Sequence, residues 1–271
     1  MQTVAIAGLG AIGGDLARAL DRGVCGRGVD GLRLVAVAVR DRVRAAAVLA
    51  GFRDPPALVD MAGLAEADIV VEATPAAVFD LVAGPAIARG RVLVVCSAGA
   101  LLPRMALVEA ARRTGARIVV PTGALLGLDA VRAAAEGPVS SVSIETRKPP
   151  GGLKGAPYLL EHGIDMDRVT VPTLVFRGNA RDAAAGFPAN VNVAAVLALA
   201  GIGPERTAVE IWADPGVTRN THTVRVEADA ARLTMTIENV PSEANPRTGR
   251  ITALSVLACL RGLASPLKIG S

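Results

Sequence analysis

Gly8, Gly10 and Gly13 stand in the spacing G-x-G-x-x-G directly after the apolar run Val4-Ala5-Ile6-Ala7, with Ala11 and Ile12 between the last two glycines. That spacing serves phosphate chemistry. The first glycine permits a tight exit from a strand, the second lets backbone approach a pyrophosphate, and the third lets the next helix pack closely on the sheet. Amides at the start of that helix, with the positive end of its dipole, then hold the phosphates. In a chain with 29 glycines the motif gains weight only from its setting. A strand precedes it, and residues 11–20 read as a helix with Ile12, Leu16, Ala19 and Leu20 along one side. The reading is a dinucleotide site. Imidazole chemistry near neutral pH falls to two residues, His162 and His222. His162 precedes Gly163 at what reads as a helix end, where the dipole favours a cation. His222 lies at the entry to a strand, and a lone strand histidine reads as structural or as functional from its sequence alone.

The elements that must position these residues follow the alternation of a parallel α/β domain. After a glycine-rich loop at residues 21–31, residues 32–39 form the second strand, and Arg40-Asp41-Arg42 sits just past its end. There an acid bonds a ribose 2′-hydroxyl and a nearby arginine accommodates a 2′-phosphate. Arg40 and Arg42 suit NADP, Asp41 suits NAD, and Asp41 also reads as the N-cap of a solvated helix. Residues 67–73, 91–97 and 117–120 are further apolar strands, buried on both faces. Thr74-Pro75 and Ser97-Ala98-Gly99 therefore fall at strand C-terminal ends, where ligands bind in open α/β sheets. Glycines 123 and 127 bring backbone close to a ligand or to a packing neighbour.

Near Gly137-Pro138 the pattern changes to strands that alternate apolar and polar residues, at 139–148, 207–213, 221–227 and 232–240. These predict a largely antiparallel sheet with one wet or interfacial face. Helices are expected at about 188–200 and 248–263, the last able to return to the first domain. The fold class is thus an N-terminal Rossmann domain, 1–136, with a C-terminal α+β domain, 137–271, for substrate binding and dimerisation. Mean hydropathy is +0.44, but arginines interrupt every apolar run, so no spanning helix is expected. The apolar segment after Met1 reads as a strand rather than a signal peptide, and the expected location is the cytoplasm. Cys25, Cys96 and Cys259 lack any paired spacing, which argues against a disulfide framework or a metal site. With net charge +4 and 2% aromatic residues, an anionic small ligand fits better than nucleic acid.

Several segments carry a more specific pattern: Gly123-Ala124-Leu125-Leu126-Gly127-Leu128-Asp129-Ala130; Arg147-Lys148-Pro149-Pro150; Phe187-Pro188-Ala189-Asn190-Val191-Asn192-Val193-Ala194-Ala195; Asp214-Pro215 with Arg219-Asn220-Thr221-His222; and Asn239-Val240-Pro241-Ser242 with Asn245-Pro246-Arg247-Thr248-Gly249. Together they resemble the L-aspartate dehydrogenases. The resemblance implies oxidation of L-aspartate to iminoaspartate with NAD or NADP, the imine feeding quinolinate and nicotinamide nucleotide synthesis or hydrolysing to oxaloacetate and ammonia. It also implies a homodimer, His222 as the active-site histidine, and cofactor contacts at Ala124 and at Asn192 or Asn190, with Asn192 preferred.

The chemistry of such a reaction sets its own requirements. Hydride leaves an amino acid only after its ammonium has lost a proton, and a histidine of ordinary pKa, about 6.5, suits that task. Two substrate carboxylates call for cations, with Lys148, Arg219 and Arg247 as candidates and Asn220, Ser242 and Thr248 as neutral donors. Each charged one reads equally as half of a surface ion pair. The rival readings are a homoserine dehydrogenase or dihydrodipicolinate reductase type of oxidoreductase, and a regulator that holds NAD(P) without turnover.

Overall fold

The computed structural model describes residues 1–23, 29–188, 191–243, 245 and 248–270. Apolar runs with no polar face become the strands of a sheet covered on both sides. β1 (Gln2–Ala7), β2 (Leu32–Ala38), β3 (Ala57–Leu58), β4 (Ile69–Glu72), β5 (Val92–Val95) and β6 (Arg117–Val119) pair in the order β3-β2-β1-β4-β5-β6, all parallel. This is the doubly wound order of dinucleotide-binding domains, with its switch point between β1 and β4. Val4, Ile6, Leu34, Val37, Ile69, Val71 and Val94 form the core with Leu16 and Ala17 of the helix Ala11–Arg22. Val256, Leu257 and Leu260 of the last helix, Arg250–Ala264, belong to that same core.

The second sheet has the order β11-β10-β7-β9-β8, from β7 (Val139–Lys148), β8 (Thr173–Asn179), β9 (Thr207–Ala213), β10 (Asn220–Ala228) and β11 (Arg232–Asn239). It is mixed. Three pairings are antiparallel, but β7 and β9 run parallel, because the helices and β8 between them carry the chain back to the same end. Its inner face packs on the helices Leu128–Ala135, Pro157–Glu161, Ala180–Gly186 and Asn192–Ala200, with Leu159, Phe176, Phe187 and Leu197 in the core.

Contacts divide the chain into one unit of Met1–Pro121 with Thr252–Lys268 and another that begins at Thr122 and runs to Ile251. The division falls at Pro121 rather than at 136, because Val131 and Ala134 of the helix Leu128–Ala135 are buried in the second core. No helix among the described residues is long and apolar enough to cross a membrane.

Candidate active site

In the first unit each glycine of the turn has a distinct steric reason. Gly8 has φ +88°, and a Cβ there would lie 2.6 Å from the Ala73 carbonyl oxygen. A Cβ on Gly13 would lie 2.0 Å from the Gly8 oxygen, so only glycine lets the helix sit against the strand exit. Gly10 is the helix N-cap, exposed, and a Cβ on it would meet nothing within 4 Å. The packing thus dictates two of the glycines and leaves open space above the third, beside the first-turn amides of Ala11, Ile12 and Gly13, which a helix leaves without internal partners. That cradle fits a pyrophosphate.

Just past β2, Asp41 caps the helix Arg42–Leu49 by accepting from the Arg44 amide at 3.0 Å. Arg42 donates to the Leu58 carbonyl at 2.7 Å, while Arg40 is exposed. Asp41 and Arg42 thus each hold a backbone contact at the end of β2. Thr74, at the end of β4, places its amide and hydroxyl on the Glu72 carboxylate.

In the second unit the strand registers order the inner face into rows. Leu233, Val226, Val142 and Thr207 make one, and Met235, Val224, Ile144 and Val209 the next. Then the chemistry changes. The third row is Ile237, His222, Thr146 and Ile211; beyond it Asn239 pairs with Asn220, and Lys148 with Ala213. A largely apolar face therefore ends in a cluster of polar side chains, His222 being 3% and Lys148 5% exposed. The Nδ1 of His222 lies 3.0 Å from Thr146 Oγ1. Burial, with the Lys148 ammonium as a second cause, pushes the imidazole pKa down to about 3. This corrects the expectation of an ordinary histidine: His222 is a neutral imidazole throughout the physiological range.

Of the adjacent cations on β7, alternation turns Arg147 to the other face, where it bonds Glu145 at 2.7 Å and Asp214 at 3.1 Å and lies 4.6 Å over the Trp212 ring. Asn239 is buried and donates to the Ala124 carbonyl at 3.0 Å, which ties the loop after β6 to the end of β11. Gly127, at φ +62°, is a packing glycine, since a Cβ there would lie 2.1 Å from Met235 Sδ. Ser242 and Thr248 are joined to each other, amide to carbonyl at 2.8 Å, and Arg219 is exposed before β10. Asn192 opens its helix with the side chain exposed between buried Val191 and Val193. Asn190 and Arg247 lie outside the described residues. His162 caps the helix Pro157–Glu161, its Nδ1 donating to the Tyr158 carbonyl at 2.8 Å and its ring stacked on Tyr158.

The comparisons with known proteins bear on both units. Residues 129–263 match the family described as aspartate dehydrogenase, C-terminal, and residues 8–121 match the NAD-binding domain described under homoserine dehydrogenase. An L-aspartate dehydrogenase of Bradyrhizobium diazoefficiens is 54% identical, the alignment covering 99% of this chain and 94% of the relative. The chain belongs to the L-aspartate dehydrogenase family. A second family member, L-aspartate dehydrogenase 3 of Bordetella bronchiseptica, is also 54% identical, over 99% of this chain and 97% of its own. The crystal structure of aspartate dehydrogenase from Thermotoga maritima superposes with a TM-score of 0.75 at 25% identity, covering all of both chains.

Two residues of this family member's polar cluster are given no role by a reading of motifs, although Asn239 opens one of the quoted segments. Thr146 and Asn239 fall at inward positions of strands, where alternation calls for apolar residues, and that mismatch is the available signal.

Proposed function

We propose that the chain oxidises L-aspartate to iminoaspartate with NAD or NADP, as a homodimer in the cytoplasm, and that His222 accepts the proton the substrate's ammonium must lose. The observation that carries this reading is the placement of two buried side chains, His222 and Lys148, at the polar end of an otherwise apolar sheet face. Family membership supports the substrate and the cofactor. Bound nicotinamide supplies the hydride acceptor; the chain holds the substrate and moves its proton.

Lys148 pairs with a substrate carboxylate in this reading, with Asn220 as a neutral donor nearby. A carboxylate set against Lys148 also cancels one of the two causes that depress the imidazole. Substrate binding therefore strengthens the base that acts on it. In the tautomer this reading requires, Nδ1–H donates to Thr146 Oγ1 and the Nε2 lone pair is the proton acceptor.

Thr146→Val should accordingly lower kcat about tenfold, the rate equivalent of one hydrogen bond of ~1.4 kcal/mol, with nucleotide affinity unchanged. Thr146→Ser should restore the rate. Wild-type kinetics in Thr146→Val would remove Thr146 from this role.

The cofactor reading gives Arg40 the 2′-phosphate, because Asp41 and Arg42 are engaged with backbone. Arg40→Ala should weaken NADP about tenfold, as expected for loss of a charge-assisted bond, and leave NAD unchanged. Equal losses for the two nucleotides in calorimetry would count against it.

The reaction itself is tested by following reduced nicotinamide with L-aspartate and, separately, L-homoserine, using NAD and NADP in turn. Turnover with homoserine but not aspartate would overturn the substrate. Tight nucleotide binding without turnover of either would favour the regulator.

A further inference from the structure

Glu72 is a buried acid that the proposed proton transfer leaves unused. It closes β4, has no exposure to solvent, and accepts from residues just past the ends of β4 and β5. Oε1 receives the Thr74 amide at 2.9 Å and hydroxyl at 2.8 Å, and Oε2 the Ser97 amide at 3.0 Å. The Ser97 hydroxyl lies between Oε1, at 3.1 Å, and the Thr74 carbonyl, at 3.0 Å. Donors on both oxygens are what an ionised carboxylate takes up. Its negative charge reaches its surroundings: after burial, it is the next cause that raises the Cys96 thiol above its ordinary range.

The position of this charge is informative. Glu72 is in register with Ala7, the residue before Gly8, and the Gly8 backbone packs against Ala73 and Thr74. The carboxylate therefore lies level with the start of the glycine turn, on the β4 side of the switch point. In this strand order the β2 side reads the ribose of the adenosine half. The nicotinamide half falls to the side of β4 and β5, whose ends Glu72 joins.

We propose that Glu72 sets the balance between the redox forms of the bound cofactor, favouring the oxidised nicotinamide, whose ring is positively charged, over the neutral reduced ring. The proposal rests on the dinucleotide reading of the glycine turn. One fixed charge acting through a protein-like dielectric shifts such a ratio on the order of tenfold. Thr74 and Ser97 hold the carboxylate in place; the discrimination comes from its charge.

Calorimetric titration of NAD and NADH into the wild-type protein and Glu72→Gln tests this. The variant should weaken NAD relative to NADH by about tenfold. Ser97→Ala, which loosens the brace and keeps the charge, should move both affinities by the same factor. Wild-type protein should also bind NAD more tightly than benzamide adenine dinucleotide, whose ring is planar but uncharged, and this comparison decides the matter if Glu72→Gln does not fold. Equal weakening of NAD and NADH in a folded Glu72→Gln, or equal wild-type affinity for NAD and the benzamide analogue, overturns the proposal. Wild-type protein that binds none of these nucleotides overturns the dinucleotide reading beneath it.

Discussion

His222→Ala is expected to lose ~10² to 10⁴ in kcat, the usual contribution of a general base, and to keep its nucleotide affinity. The nucleotide cradle is built in the first unit and His222 stands on β10 of the second, so the two properties separate. His162→Ala should be nearly silent, because its imidazole is spent on the Tyr158 carbonyl and ring. The pH dependence follows from the direction of the shift. With its pKa lowered to about 3, His222 in the free protein remains a proton acceptor as the pH falls through 6.5, so kcat/KM should not decline there on its account. An acid-side limb near 6.5 that disappears in His222→Ala would show that the imidazole is not held neutral. Stability carries the same signature: the unfolded chain protonates this histidine below about 6.5 and the folded chain does not until about 3. Its contribution is fully present above 6.5 and is lost progressively on acidification across that window.

The second large effect separates two glycines of one motif. Gly10→Val should abolish detectable NAD and NADP binding while leaving the thermal transition close to wild type, because its side chain enters space that the protein leaves open. Gly13→Ala should damage the fold itself, since its single methyl group would overlap the Gly8 carbonyl at 2.0 Å. Calorimetry and thermal unfolding on both variants give the answer. Undiminished nucleotide binding by Gly10→Val would remove the phosphate from this turn, and an unchanged transition in Gly13→Ala would contradict the close packing of helix on strand.

The parallel sheet was legible because each of its longer strands is an apolar run followed by a helix, a pattern with few other solutions. β3 is two residues long and gave no period to read. In the second sheet, alternation revealed β7, β9, β10 and β11 and which side chains face inward. It says nothing about strand direction, so the parallel pairing of β7 with β9 was not legible. β8 was missed because Thr173–Asn179 mixes apolar residues with Arg177, Gly178 and Asn179 and alternates poorly. The same limit applies to the candidate site. His222 and Lys148 could be named from motifs, but their shared face depends on the register Thr146↔His222, a long-range pairing that local sequence does not encode. The depressed imidazole was out of reach for a related reason, since it arises from burial by distant parts of the chain.

The last helix, Arg250–Ala264, completes a core whose other members all precede Pro121. Synthesis runs from the amino end, so the nascent sheet leaves the ribosome with the seats of Val256, Leu257 and Leu260 unfilled. The strands and helices of the second unit, which lie between Thr122 and Ile251, are in hand earlier than the final helix of the first. The part made first is therefore finished last, and the flank that this helix covers stays without it until translation has passed Leu260.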